Sequence, residues 1–174
     1  MRRLLESPER LLGPYAGPGM TVVEPGCGMG FFSLPLARMV GPTGTVVCAD
    51  LQPKMIAALQ RRARRAGLLD RIRTAVCQAD DLSLGEWAGR ADLALAIHMV
   101  HEVPDVDNLM RQLHAVVRPG GRLLIVEPKG HVSTADFERT VARAAAAGFG
   151  PAQPVAARGL AAVVEKPATP GMRS

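Results

Sequence analysis

Short apolar, β-branched runs alternate with helical stretches along this chain, and that alternation limits its fold more than any single motif. A first strand reads Thr21-Val22-Val23-Glu24, and a Gly-rich turn then leads into a helix from about Phe31 to Val40. Gly41-Pro42-Thr43-Gly44 breaks that helix, and a second strand runs from Thr45 to Ala49. Lys54 to Ala66 has helical spacing, with Met55, Ile56 and Leu59 turned inward, arginines outward, and Gly67 as its C-terminal cap. Ile72 to Cys77 is a third strand, and Ala91 to Ile97 an apolar run of the kind buried on both faces. Asp107 to Val117 is a helix after Pro104, Arg118-Pro119-Gly120-Gly121 a turn, and Leu123 to Val126 another doubly buried strand. Ser133 opens a capping box with Asp136, and its helix runs to Gly148.

Strand and helix alternating in this way make a parallel sheet with helices on both faces, a doubly wound Rossmann-like α/β fold. No helix separates Val155–Arg158 from Leu160–Glu165, so the end reads as a closing antiparallel hairpin. The expected division is a short N-terminal helical segment over 1–19, one domain over 20–166, and a flexible tail over 167–174.

With 174 residues, 48% of them hydrophobic and 21% charged, the chain can bury one sizeable core. No apolar run approaches the roughly 20 residues that span a bilayer, and the opening residues lack a signal-peptide core. The three cysteines form no C-x-x-C pair, which fits a reducing cytoplasm. The net charge of +5 raises the question of an anionic partner. Its densest cluster, Arg61, Arg62, Arg64 and Arg65, is read as a solvated helix face, and 3% aromatics are too few for a nucleic-acid stacking platform.

In open α/β sheets ligands sit beyond the carboxyl ends of the strands, at the switch point beside the first strand. After strand one comes Glu24-Pro25-Gly26-Cys27-Gly28-Met29-Gly30-Phe31, where alternate glycines let a ligand approach the backbone. A dinucleotide fingerprint wants G-x-G-x-x-G, but its third glycine position is Phe31 here. Glu24 would repel a phosphate and suit an ammonium group. Asp50 ends strand two, 22 residues after Gly28, where a carboxylate can accept from both ribose hydroxyls and would repel the 2′-phosphate of NADP.

Met20 to about Pro128 resembles the class I S-adenosylmethionine (SAM)-dependent methyltransferases, particularly the small-molecule branch. Val22 to Gly30 is similar to that family's first motif, Val47-Cys48-Ala49-Asp50 to its second, and Arg118 to Ile125 to its turn and fifth strand. The resemblance implies a seven-stranded sheet in the order 3-2-1-4-5-7-6 with strand seven antiparallel, and SAM as cofactor. It also implies that the turn from Gly26 through Cys27 and Gly28 to Gly30 takes the methionine part of SAM, with Glu24 near the amino group. Asp50 would hold the ribose and Leu51 pack on the adenine. The adenine amino group would go to Gln78 and Ala79, or to Asp80 if the register slips, and the backbone of Ala96 and Ile97 would line the methionine chain.

A sulfonium methyl is already an activated electrophile, so transfer by in-line displacement rests mainly on positioning, which contributes on the order of 7–11 kcal/mol. Candidates for a general base are His98 and His101 first, then Glu102, Glu127, Lys129 and His131. His98 and His101 lack the company of a metal site, so none is expected. Ala96-Ile97-His98-Met99 is not the Asn/Asp-Pro-Pro-aromatic motif of amino-methylating members. With few residues before strand one, the acceptor pocket must be shallow, made by Leu4 to Tyr15, or completed by a second copy in a homodimer. The expected activity is methyl transfer to a small-molecule acceptor. The alternatives are a non-catalytic SAM-binding module, an NAD-linked oxidoreductase and an RNA methyltransferase.

Overall fold

The computed structural model describes residues 7–168, so the two ends of the expected N-terminal segment and tail, 1–6 and 169–174, lie outside the described residues. Seven strands form one sheet: β1 (Thr21–Pro25), β2 (Thr45–Asp50), β3 (Ile72–Val76), β4 (Ala91–Ile97), β5 (Val117–Glu127), β6 (Gln153–Pro154) and β7 (Leu160–Glu165). Their order is β3-β2-β1-β4-β5-β7-β6. The first five strands pair in parallel, while β7 runs antiparallel to both β5 and β6. This is the doubly wound Rossmann-like sheet expected from the sequence.

Among the described residues, α1 (Pro8–Leu12) precedes β1, and four α-helices join strands: α2 (Ser33–Val40), α3 (Pro53–Arg65), α4 (Val106–Val116) and α5 (Thr134–Ala146). The period-two geometry of a strand sends neighbouring side chains to opposite faces. Val23, Val47 and Ile125 accordingly pack with Leu109 and Leu113 of α4 and Phe137 of α5. Their neighbours Val22, Val46 and Leu124 pack on the other face with Leu36 of α2 and Leu59 of α3. Both faces are covered, which is why these strands are apolar throughout instead of alternating.

Helix α3 buries Ile56, Leu59 and Ala63 and exposes its four arginines; Met55 is only half-buried. It closes as expected on Gly67, whose φ of +67° lets Leu68 N–H donate to Ala63 O at 2.9 Å and Gly67 N–H to Arg64 O at 3.1 Å.

Several boundaries shift by a residue or two from expectation, and three differences stand out. Arg118–Gly121 lies inside the long β5, because Gly120 N–H reaches Lys166 O and Lys166 N–H reaches Gly121 O, both at 2.8 Å, pairing the turn with the end of the chain. Helix α5 stops at Ala146, since Gly148 adopts a φ of +112° that no α-helix continues. The closing hairpin is present, but its first strand is Gln153–Pro154 and not Val155–Arg158; beyond Pro154, Val155 N–H still donates to Ala161 O at 3.3 Å.

Among the described residues, no helix is long and apolar enough to cross a membrane.

Candidate active site

The chain winds outward through β1, β2 and β3 and then returns to place β4 on the other side of β1, so a crevice opens above the carboxyl ends of β1 and β4. A cavity of about 280 Å³ lies there. Of the residues singled out from sequence, Gly26, Asp50, Leu51, Gln78, Ala79, His98 and Glu102 border it. Residues the sequence reading did not single out border it too, among them Gln52, Met99, Asn108 and Gln112.

The turn after β1 holds its shape through left-handed glycines: φ is +68° at Gly26, +52° at Gly28 and +88° at Gly30. Their surroundings differ. A side chain at Gly26 would grow toward Met99, meeting its Cβ at 3.4 Å, and one at Gly28 would meet nothing within 4 Å. At Gly30 a Cβ would stand 2.4 Å from Leu59 Cδ1. Gly30 therefore serves the close approach of the turn to α3, and it does not border the cavity.

Asp50 is 9% exposed and uses both oxygens: Oδ2 accepts from Gly28 N–H and Oδ1 from Gln52 N–H, each at 2.9 Å. Each oxygen retains a lone pair, so the carboxylate can still accept two further hydroxyls. Beside it Leu51 is 56% exposed, an apolar side chain waiting on the cavity wall.

Glu24 lies beneath the turn, buried, with its Oε2 accepting from Ser33 Oγ. Burial pushes its carboxyl up to about 8, the nearby Asp50 carboxylate adds to that, and the Ser33 hydroxyl works against it. Ser33 opens α2, and its only sequence signal was a hydroxyl at the start of a helix facing a strand-end carboxylate. Cys27, Cys48 and Cys77 are free and buried. A hydrogen bond with Cys27, followed by burial, raises the Cys48 thiol, and burial raises that of Cys77, so both are poor nucleophiles.

After β3, Gln78 and Ala79 face the cavity and Asp80 does not. Asn108 Nδ2 and Gln112 Nε2 of α4 both donate to Asp80 O, at 2.6 and 2.9 Å, while Gln112 Oε1 accepts from Leu82 N–H at 2.8 Å. These two amides clamp the loop and set its register. Ala96 and Ile97 end β4 without bordering the cavity. His98 follows in a left-handed conformation, φ +54°, with its N–H on Val126 O at 2.7 Å. Burial holds its imidazole below the usual histidine range, against the pull of Glu127.

His101 sits apart from His98, on the short turn Val100–Glu102, and hydrogen-bonds through Nδ1 to Oε2 of the fully buried Glu127. Glu127 Oε1 accepts from Val100 N–H at 3.0 Å. Tyr15 does not reach the crevice; it packs under the Arg122 guanidinium, 5.5 Å from ring centre, beside Val155–Arg158. The described part of the Leu4-to-Tyr15 segment thus gives the crevice no cover.

Residues 22–121 match a family model described as a methyltransferase domain. Among curated proteins the chain is 30% identical over 109 residues to the ubiquinone/menaquinone biosynthesis C-methyltransferase UbiE of Haemophilus ducreyi. The match takes in 63% of this chain but 41% of that protein, so the chain spans less than half the length of the curated relatives it resembles. Among solved structures it overlays a SAM-dependent methyltransferase from Aquifex aeolicus with a TM-score of 0.81 and 22% identity, covering 95% of this chain and 92% of that one. A SAM-dependent O-methyltransferase from Thermotoga maritima gives a TM-score of 0.73 at 18% identity, covering 94% and 66%.

Proposed function

The chain belongs to the class I SAM-dependent methyltransferases, and on that premise we propose that it transfers the methyl group of SAM to a small-molecule acceptor. The observation that carries the reading is Asp50, a carboxylate held by two backbone amides at the cavity edge with lone pairs left for a ribose. The donor set around it fits the rest of the cofactor. Leu51 offers an apolar face to the adenine, Gln78 a side-chain carbonyl to its amino group, and Gly26 leaves room that a Cβ would take.

When bound, SAM supplies a methyl group on a sulfonium, an electrophile that needs no acid catalyst. What the chain does is align and desolvate. Asp50, Gln52, Met99 and His98 border the cavity, while Glu24, buried beneath the turn, provides a carboxyl that an ammonium group nearby would ionise. Cys27, Gly28 and Gly30 act through the shape of the turn, and Ala96 and Ile97 by ending β4 beneath it.

The name of the Haemophilus relative points to quinone biosynthesis, which supports a small-molecule acceptor over RNA. Against an NAD-linked oxidoreductase stands the phase of the glycines: Gly30 packs on Leu59, and Phe31 follows where a dinucleotide fingerprint has its last glycine. Cytoplasmic location and a homodimer that covers the crevice belong to the same reading.

Calorimetry decides the first step. S-adenosylhomocysteine (SAH) should bind and NAD should not, and the reverse result would overturn the proposal. Transfer of labelled methyl groups to a panel of thiols, phenols and carboxylic acids then names the acceptor class.

A further inference from the structure

A second cavity, of about 460 Å³, opens on the other side of the Val100–Glu102 turn, between that turn and α5. It shares Val103 and Pro104 with the cofactor cavity, so the two meet along one wall. Its lining is mixed. Val103, Val106 and Val132 make an apolar side, and His101, His131 and Thr140 bring polar groups to it.

The His101 side chain is 28% exposed and that of Glu127 1%. One Glu127 oxygen is committed to the Val100 amide and the other to His101 Nδ1. A buried carboxylate on Nδ1 keeps the proton on that nitrogen and leaves the Nε2 lone pair bare. Among the described residues, the one carboxylate within 4.0 Å of Nε2 is Glu102, whose Oε1 stands 3.9 Å away, beyond hydrogen-bond reach. The His131 ring lies beside that of His101, centres 6.2 Å apart and planes inclined by 28°, forming a flat polar edge on the cavity.

We propose that this second cavity holds the methyl acceptor, that the acceptor carries a phenol-class hydroxyl, and that His101, oriented by Glu127, takes its proton. The inference rests on the methyltransferase reading above and narrows it. A carboxylic acid is already ionised at neutral pH and needs no base, and an alkyl alcohol is too weak an acid for imidazole. A phenol holds its proton at neutral pH yet can pass it to a neutral imidazole, and its ring suits the valine-lined side. In that transfer the O–H bond breaks, its electron pair stays on oxygen, and an Nε2–H bond forms. The imidazolium so made faces the Glu127 carboxylate and later returns the proton to water. His101 is the catalytic residue here and Glu127 the positioning residue.

The titratable groups around His101 are Glu102 on its own turn, Glu127 from β5 and His131 after it, with His98 farther off but within electrostatic reach. On the α5 wall Arg139 is paired with Asp136, and Arg143 stands 3.8 Å from Asp107. Because both arginines have carboxylate partners, the cavity is not built as an anion trap.

The test is NMR of the full chain labelled with [¹⁵N]histidine, with and without SAH. The expected His101, in its uncharged form, carries the proton on Nδ1 and leaves Nε2 bare. Adding 4-nitrophenol to the SAH-bound protein should move Nε2 toward its protonated range and leave His114 unmoved, whereas benzoate should move neither residue. Glu127→Gln should redistribute the proton between the two nitrogens and Glu127→Asp should restore it. Should Glu127→Gln fail to fold, His101→Gln serves instead: SAH affinity should hold within about threefold, with 4-nitrophenol binding down at least about tenfold. A proton on Nε2 with Nδ1 bare, benzoate binding as well as the phenol, or a His101 indifferent to 4-nitrophenol overturns the proposal. Failure of SAH to bind sinks the methyltransferase reading itself, which the wrong tautomer in an SAH-bound protein does not.

Discussion

Gly28 N–H donates to Asp50 Oδ2 at 2.9 Å across 22 residues of sequence, so the residue read as the ribose acceptor also holds the glycine turn in place. The turn and the proposed nucleoside contact are therefore one unit. Asp50→Ala strips partners from the Gly28 and Gln52 amides, and hydrogen bonds to a charged group contribute about 1.5–3 kcal/mol each. The expected outcome is a lower Tm together with SAH binding weakened at least about tenfold. Asp50→Asn, which keeps one acceptor oxygen, should fall between. Thermal melts and calorimetry on the same samples check both, and unchanged SAH affinity in Asp50→Ala counts against the ribose assignment.

The three turn glycines should separate by phenotype. All have positive φ, which costs an L-residue roughly 1–2 kcal/mol. At Gly30 the new Cβ also collides with Leu59, so Gly30→Ala should be the most destabilising of the three. Gly28→Ala meets open space and should lose little beyond the backbone cost, but a turn shifted by that strain would disturb the Gly28 N–H bond that positions the Asp50 carboxylate. SAH affinity should drop more in Gly28→Ala than stability does. Denaturant melts beside calorimetry read the two effects apart.

Glu24 ties pH to both stability and binding. Its folded carboxyl is raised to about 8 from an ordinary value of 4.5. Between those values the unfolded chain has released this proton and the folded chain has kept it, so Glu24 lowers stability progressively as pH rises from about 4.5 to 8. Glu24→Gln should flatten that slope and be more stable than wild type at the alkaline end. An ammonium-bearing ligand ionises the carboxyl, so SAH binding at pH 7 should release a fraction of a proton, and Glu24→Gln should abolish that release. Calorimetry in buffers of different ionisation enthalpy measures it.

His98 contributes in the opposite direction. Burial lowers its folded value, so below the ordinary histidine range near 6.5 the unfolded chain takes up a proton that the folded chain resists. Stability from His98 is present at neutral pH and lost on acidification. Proton NMR of the ring should show His98 titrating below 6.5, and titration above that value contradicts the burial found here.

Much of the fold was legible because it is written in neighbouring residues. Val22 and Val23 face opposite sides of the sheet as any strand pair must, Gly67 ends α3 because φ of +67° suits glycine, and Ser133 caps α5 by accepting from Asp136 N–H at 3.1 Å. The site was legible where spacing along one crossover sets it, as between Gly28 and Asp50. It was not legible where distant elements choose the partner. Gln78 and Asp80 could not be ranked until Asn108 and Gln112, about thirty residues on, clamped the loop.

Sequence by itself determined the alternation of strand and helix, the turn glycines and the strand-end carboxylates, since periodicity and backbone conformation act over a few residues. Only tertiary structure decided that Gly30 serves packing against Leu59, that the closing hairpin starts at Gln153, and that His101 meets Glu127 across 26 positions. Those outcomes depend on how β4, β5 and α3 lie together, and registration of distant segments is a property of the packed core that no local stretch of chain contains.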